Sequence, residues 1–204
     1  MTPNRQTGKP RSPATTRGLT NELRRVDLGE ALCRLRDSLD QVQSVVGSAR
    51  GSFRRIMIEK VVSGGQTGVD RAALDAALEA GVACGGWCPR GRRAEDGVIP
   101  DRYPLRETAG SSYMERTRRN VEDTDGTLVL VSGEPVGGTG ATVAHAKRVG
   151  KPVLVVDPDR EAAGARPAAI MEWVESHRIR VLNVAGPRES GRPGIYDVAR
   201  GVMA

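Results

Sequence analysis

The fold is decided by residues 58–80, IEKVVSGGQTGVDRAALDAALEA. The apolar run that ends at Ser63 predicts a buried strand, and the small residues from Val69 to Ala77 predict one face of a helix over residues 70–80. The three glycines between them allow a tight turn from strand to helix. A unit of strand, glycine turn and helix is typical of a parallel α/β sheet.

The same alternation continues to the end of the chain. Apolar runs predict strands at residues 82–87, 127–132, 152–156 and 181–185, and helical patterns predict helices at 112–121, 139–149, 167–176 and from Ile195 onward. Ser112 and Glu115 have the spacing of a capping box. We therefore expect a three-layer Rossmann-like α/β fold, with a parallel sheet, helices on both faces and right-handed crossovers. Ligands of such sheets bind at the carboxyl ends of the strands.

The first fifty residues have a different texture from this domain, which we place at residues 56–204. Residues 1–18 are rich in Pro, Thr, Arg and Gly and predict a disordered basic tail. Residues 19–50 predict an N-terminal amphipathic helix, whose apolar positions repeat nearly as a heptad: Leu28, Leu32, Leu35, Leu39, Val42 and Val46. That helix either contacts a partner or a second copy, or packs on its own domain.

Charge and cysteine content narrow the function classes. The net charge is +6, and the whole excess lies in residues 1–55, which carry 11 basic and 5 acidic side chains. The neutral remainder argues against nucleic acid as the main partner. Three cysteines without a framework, and no apolar run of about 18 residues, predict a cytoplasmic protein without disulfides or a membrane span. No zinc site is expected, because His145 and His177 lack partners at ligand spacing.

The turn after the first strand is the first candidate binding element. Backbone N–H groups in such a turn and the dipole of the following helix attract anions. We expect an anion to be held by Gly64, Gly65, Gln66, Thr67 and Gly68, with Asp70 and Arg71 in the first turn of the helix. The alternative is a tight turn without a ligand.

Two further clusters follow later strands. Arg90, Arg92 and Arg93 have guanidinium groups suited to phosphate or another oxyanion, unless they form only a solvated loop. Gly137, Gly138 and Thr139 predict a second helix start that attracts anions. Arg116 and Asn120 lie one helical turn apart and are expected to reach the same place. Together these residues predict one pocket of nucleotide or pterin size.

Several of these motifs, in order, resemble the molybdenum cofactor carrier family. The first two signatures are Val62–Asp75 and Gly85–Gly97, followed by Arg116-Thr117 and Asn120-Val121. Gly137-Gly138-Thr139, Lys151-Pro152-Val153 and Leu182–Tyr196 complete the similarity, which covers about residues 57–204.

This resemblance implies a Rossmann-like fold related to lysine-decarboxylase-like, nucleotide-binding proteins. It implies a carrier that binds molybdenum cofactor or molybdate, or otherwise a nucleotide-like ligand, and that forms a homo-oligomer, a dimer or tetramer. A binding protein without catalytic residues is expected. The alternatives are an enzyme resembling nucleotide monophosphate phosphoribohydrolases, or a nucleotide-sensing module. The enzyme reading is weakened because the glutamate that follows the Gly-Gly-x-Gly-Thr turn in those enzymes is absent after Gly137-Gly138-Thr139.

Overall fold

A computed structural model of the chain describes residues 57–160 and 166–203. The predicted basic tail and amphipathic helix lie outside these residues. The strands are β1 (Lys60–Val62), β2 (Ala83–Cys88), β3 (Arg93–Ala94), β4 (Gly97–Val98), β5 (Leu105–Glu107), β6 (Gly126–Leu130), β7 (Val153–Val156) and β8 (Val181–Ala185). The helices are α1 (Val69–Glu79), α2 (Tyr113–Glu122), α3 (Gly137–Arg148), α4 (Arg166–Ser176) and α5 (Ile195–Met203).

The predicted parallel sheet is confirmed. Six strands pair in the order β5-β2-β1-β8-β6-β7, and every pairing is parallel. The last strand of the chain, β8, lies between β1 and β6, so the loops after β1, β6 and β8 meet at one edge. That strand order creates the crevice in which ligands of open α/β sheets bind.

Helices cover both faces of the sheet, as expected. On one face α1, α4 and α5 pack on the strands through an aliphatic core that includes Val69, Leu128, Val174, Leu182 and Ile195. The small residues of α1, Ala72 and Ala73, are fully buried there, because alanine lets a helix approach a sheet closely.

The other face, under α2 and α3, has a more polar interior. Thr127 and Asn183 are buried on neighbouring strands, and the Asn183 amide donates to the Thr127 hydroxyl (3.2 Å). Asn120 and Thr142 are buried on the helices above them. Polar groups are tolerated inside a domain only when they are hydrogen-bonded, so this face holds a network instead of a purely aliphatic core.

Three local predictions were wrong. The edge strand β5 and the β3–β4 hairpin were not predicted, because both are short and largely exposed. Ser112 is the N-cap of α2 but makes no side-chain cap hydrogen bond, and the Glu115 carboxylate pairs with Arg119 (3.1 Å) instead of closing a capping box. The helix α3 begins two residues earlier than predicted, at Gly137 instead of at residue 139.

Candidate functional site

The turn between β1 and α1 is closed by the chain's own groups. The N–H of Gln66 donates to the Asp70 carboxylate (3.3 Å), and the N–H of Thr67 donates to the side-chain oxygen of Gln66 (3.0 Å). The Val69 N–H donates to the carbonyl of Pro187 (3.3 Å). These three donors are therefore paired within the chain, and anion binding by this turn stays a prediction. The Asp70 carboxylate occupies the place at the helix start that we expected a ligand to take.

Asp70 also holds Arg116 in place. An Arg116 guanidinium nitrogen lies 3.0 Å from an Asp70 carboxylate oxygen, and the two side chains are 15% and 5% exposed. Gly64 makes room for this pair, because a Cβ there would overlap the guanidinium and lie 2.8 Å from the same Asp70 oxygen. Gly65, with a φ of 74°, packs under Ile99 and Leu105. The glycines of this turn thus serve side-chain packing.

The arginine loop does not line the cavity formed beside this turn, so the structure does not bring Arg90, Arg92 and Arg93 together with the other predicted residues there. The Arg92 guanidinium donates to four backbone carbonyls between residues 99 and 105, at 2.9 to 3.3 Å. Three of those carbonyls belong to the irregular segment before β5, and the fourth is that of Leu105 at the start of β5. Arg92 therefore has a structural role, with four of its five N–H groups used in these hydrogen bonds.

The two acids of that loop bind helix α1, the turn before it and the loop after β8 instead of the arginines of their own loop. Asp96 forms two hydrogen bonds with Arg71 (2.5 and 2.7 Å), and Glu95 accepts hydrogen bonds from the Thr67 hydroxyl and from Ser190. Burial raises the pKa of Glu95, but the hydrogen bonds from Ser190 and Thr67 outweigh it and hold that pKa below its ordinary value. Hydrogen bonds with Arg71 lower the pKa of Asp96. Both groups are charged near neutral pH and fix the loop.

Three more of the predicted residues line a separate cavity of about 280 Å³: Thr67, Gly68 and Arg71. Its polar centre is Asp75, whose carboxylate accepts from the hydroxyls of Tyr103 (3.0 Å) and Tyr196 (2.8 Å). Burial and the adjacent carboxylate raise the pKa of Tyr196 to about 12, so this phenol stays a donor. The cluster joins α1 to α5, and the Asp75 carboxylate has its hydrogen-bond donors within the cluster.

Asn120 also has a structural role, because its side chain joins α2 to β2. Its amide oxygen accepts from the N–H of Trp87 (2.7 Å), and its amide nitrogen donates to the Trp87 carbonyl (3.1 Å). Both atoms are used to join α2 to β2, and the side chain is 2% exposed. Asn120 does not line the main cavity, although it stands one turn from Arg116 as predicted.

The largest of the described cavities, here called the main cavity, lies at the carboxyl ends of β6 and β8, beneath the starts of α2 and α3. Its volume is about 470 Å³, which is the size of a small-molecule site. Of the predicted residues it is lined by Gln66, Asp70, Arg116, Gly137, Gly138 and Thr139, and it adds two arginines that were not predicted, Arg188 and Arg192.

Two buried donors on the lining of this cavity have no partner. The Gln66 side-chain oxygen accepts from two backbone N–H groups, those of Thr67 and Glu95 (3.0 Å each), so the amide orientation is fixed and the nitrogen Nε2 is left without an acceptor. Arg192 Nη1 is likewise buried and unpartnered. A buried N–H without an acceptor costs about 1–3 kcal/mol, so a ligand acceptor that reaches either nitrogen would recover that free energy.

Arg116 Nε is a third buried nitrogen without a partner, but Arg116 also borders a second, much smaller void. Arg116 borders both the main cavity and a void of about 10 Å³ that it shares with Asn120, Thr142 and Asn183. A polar void of that size suits a single water molecule. Gln66 and Arg192 border the main cavity and not this void.

Arg192 is held in position by its other nitrogen. Arg192 Nη2 donates to both oxygens of Asp159 (2.7 and 2.8 Å), and the hydroxyl of Ser132 donates to Asp159 as well (2.5 Å). The Ser132 hydrogen bond lowers the pKa of Asp159, so it remains a carboxylate. A guanidinium fixed on one side presents its remaining N–H groups with little loss of side-chain entropy on binding.

The first turn of α3 adds backbone donors to the same cavity. The helix begins at Gly137 and runs for 12 residues, and Gly137, Gly138 and Thr139 line the cavity. The first N–H groups of a helix have no partner within it, and the helix dipole places partial positive charge there. The structure thus brings Gly137, Gly138 and Thr139 to the same cavity as Gln66 and Arg116.

The lining offers no thiolate or imidazole to a metal ion. No Cys or His is among the residues of the main cavity, and no group of three or more potential ligands forms a metal cluster in the described ranges. Cys88 is fully buried on β2, and burial raises the pKa of its thiol, which makes it a packing residue. The cavity therefore suits an oxyanion or phosphate held by N–H donors.

Comparison with known proteins agrees with this architecture. Residues 61–204 match the Circularly permutated YpsA SLOG family. The chain is also similar to a crystal structure described as a "putative molybdenum carrier protein" from Syntrophus aciditrophicus SB, at 44% identity and a TM-score of 0.70, over 72% of this chain and 92% of that one. No curated protein matches. In the described part of the chain, no helix has the length and apolarity needed to cross a membrane.

Proposed function

Because the chain belongs to the Circularly permutated YpsA SLOG family and is similar to a molybdenum carrier-like protein, we propose that it binds and carries an anionic small molecule in the main cavity. One observation carries the proposal: Gln66 and Arg192, whose nitrogens Nε2 and Nη1 are buried without a partner, line the same cavity as the start of α3. Hydrogen bonds from charged donors to an anion are about twice as strong as neutral ones.

The ligand we favour is molybdenum cofactor or a related phosphorylated pterin or nucleotide. Its phosphate oxygens fit the donor set of Gln66, Arg192 and the α3 start, and Arg188 lies on the same lining. Any molybdenum would be contacted through its oxygen atoms, because the lining holds no thiol or imidazole. Bound cofactor would supply its own chemistry elsewhere, and this chain's residues would only hold and shield it.

Calorimetric titration of the full chain with orthophosphate, molybdate and guanosine 5′-monophosphate tests the proposal. We expect at least one of these anions to bind, and Arg192→Gln to weaken that binding by roughly tenfold or more, since one charge-assisted hydrogen bond is lost. Arg180→Gln is the matched control, because Arg180 is exposed and pairs with Glu59 away from the cavity. Absence of binding by all three anions, or an Arg192→Gln variant that binds as the parent does, contradicts the proposal.

Self-association is a further part of this proposal, taken from the resemblance. Light scattering of the full chain tests it: a dimer or tetramer is expected, and a monomer at high micromolar concentration contradicts it.

A further inference from the structure

The two turn residues of the β3–β4 hairpin are Glu95 and Asp96, and neither of them lines the main cavity. The Glu95 side chain is nonetheless only 17% exposed. Its carboxylate accepts hydrogen bonds from the hydroxyls of Thr67 and Ser190 and from the N–H of Ser190 (3.0 Å). Asp96 pairs instead with Arg71 on α1. Glu95 therefore joins the hairpin both to the turn before α1 and to the loop after β8.

The backbone of Glu95 fixes the side chain of Gln66. The Gln66 side-chain oxygen accepts from the N–H groups of Glu95 and Thr67 (3.0 Å each). With both donors on the oxygen, the orientation of the amide is set, and Nε2 is the atom left buried without a partner. The hydrogen bond between the Thr67 hydroxyl and the Glu95 carboxylate keeps the Glu95 N–H beside Gln66.

The carboxylate of Glu95 also holds the turn that carries Arg188 and Arg192. Ser190 lies between these arginines in the chain, and the N–H of Arg192 donates to the carbonyl of Arg188 (3.1 Å), which closes a tight turn. Glu95 binds this turn at Ser190, and its carboxylate lies 3.7 Å from Arg188 Nε. One residue outside the main cavity thus contacts lining residues from two separate loops, Gln66 and Arg188.

We infer that Glu95 is a positioning residue for the main cavity, which holds the Gln66 amide and the turn from Arg188 to Arg192 in the arrangement that binds one anion. This inference rests on the proposed function and deepens it. Glu95 itself does not contact the ligand. Donors that are held before a ligand arrives lose little conformational entropy when it binds, and this raises affinity.

The charge of Glu95 makes this inference easy to separate from a purely electrostatic effect. Glu95 contacts Gln66 and Arg188, so it brings a negative charge close to the proposed anion. If only that charge mattered, removing it would tighten anion binding, because a repulsion is lost and Arg188 loses a competing carboxylate. A positioning role predicts the opposite sign, since the loss of Glu95 releases the donors on both loops.

Calorimetric titration of the full chain with orthophosphate, molybdate and guanosine 5′-monophosphate tests the inference on Glu95→Ala. We expect this variant to bind each anion that the parent binds about tenfold more weakly. Asp96→Ala is the matched control, because it removes the same charge from the same hairpin turn, and its partner Arg71 lines a different cavity. We expect its affinity to lie within about twofold of the parent, since exposed charges are screened.

Thr67 allows a second test that leaves Glu95 in place. Its hydroxyl donates to Glu95 and accepts from the N–H of Glu189 (3.1 Å). Thr67→Val keeps the shape of the side chain and removes both hydrogen bonds, so we expect anion binding to weaken by roughly three- to tenfold. Thr67→Ser keeps the hydroxyl and should restore the affinity to near that of the parent.

The side-chain amide of Gln66 gives a measurement that needs no ligand. Its NH₂ signal can be assigned by its absence from the spectrum of Gln66→Ala, and nitrogen-15 relaxation then reports its mobility. We expect a rigid NH₂ group in the parent and in Asp96→Ala, and a mobile one in Glu95→Ala and Thr67→Val.

Unchanged or tighter anion binding by Glu95→Ala, or a Gln66 amide as rigid in that variant as in the parent, overturns the inference and leaves the proposed function standing. If Glu95→Ala does not fold, the Thr67 pair decides, and equal affinities of Thr67→Val and Thr67→Ser overturn the inference. If the parent binds none of the three anions, the proposed function itself fails, and this inference fails with it.

Discussion

Replacing Gly64 with alanine should disrupt the Asp70–Arg116 pair without touching either charged residue. The new methyl group would overlap the Arg116 guanidinium, so that side chain has to move. Gly64 does not have a positive φ, so alanine adds no backbone strain and the whole effect comes from this displacement.

The magnitude follows from the burial of the pair. Separating a buried ion pair while one charge stays buried costs about 3–5 kcal/mol. The lower end applies here, because Asp70 is 5% exposed but keeps the N–H of Gln66, and Arg116 is 15% exposed and moves toward solvent. We expect a loss of about 3 kcal/mol in the free energy of unfolding, or a fall in Tm of about 6–12 °C for a domain of this size.

Urea denaturation of the full chain measures this, with Gly201→Ala as the control. Gly201 lies in α5 with nothing within 4 Å of the added methyl group, so alanine there should stabilise the helix by up to about 1 kcal/mol. The Gly64→Ala penalty should also shrink in an Asp70→Asn background, because the two changes disrupt the same pair. A Gly64→Ala variant that unfolds within about 0.5 kcal/mol of the parent would refute this reading of Arg116.

Three further expectations follow from the site. Arg92→Met should lower the unfolding free energy by about 1–3 kcal/mol, because buried carbonyls lose their donor, and should leave phosphate affinity unchanged. Arg192→Met should instead weaken phosphate binding and leave the unfolding free energy unchanged. Equal effects of the two variants on both measurements would contradict the assignment. The lowered pKa of Glu95 means that its stabilising contribution is present above the ordinary value of 4.5 and lost as pH falls through the lowered value. The difference in unfolding free energy between the parent and Glu95→Gln should therefore be constant at neutral pH and shrink in acid, as urea titrations at several pH values would show; a difference that grows in acid would be inconsistent with a lowered pKa. Cys88 should resist iodoacetamide in the folded protein and react in urea, as peptide mass spectrometry would show, and rapid labelling of the native protein would disprove its burial.

Local pattern was enough to predict most of the fold. The strand over residues 181–185 was predicted with the bounds that the structure has, and α1 was predicted within one residue at each end. Both segments have strong apolar periodicity and clear turn residues at their ends. The edge strand β5 has only Leu105 as an apolar anchor, followed by the exposed Arg106 and Glu107, so no periodic signal distinguishes it from a loop.

The binding site was harder to predict, because its parts are brought together by strand order. Arg188 and Arg192 follow β8, the last strand in the chain, and they reach the cavity only because β8 is inserted between β1 and β6. A signal was present: these arginines stand among glycines and prolines directly after a predicted strand, as Arg90 and Arg92 do. Strand order is a long-range property that no local pattern specifies.

The density of arginines in a loop also does not predict which acceptors their donors meet. Arg92 has donors suited to an oxyanion, but an irregular segment nearby has backbone carbonyls that need the same donors. Sequence shows the donors and does not show which acceptors the fold brings to them. The same holds for the first glycine turn, where Asp70 accepts the N–H of Gln66 that was expected to hold a ligand.

A crystal structure of the full chain with guanosine 5′-monophosphate bound tests the central claim most directly. We expect the phosphate within hydrogen-bond distance of Arg192 Nη1 and Gln66 Nε2, at the start of α3. A phosphate bound instead at Arg90 and Arg93, or in the cavity around Asp75, with the main cavity holding only solvent, would contradict it.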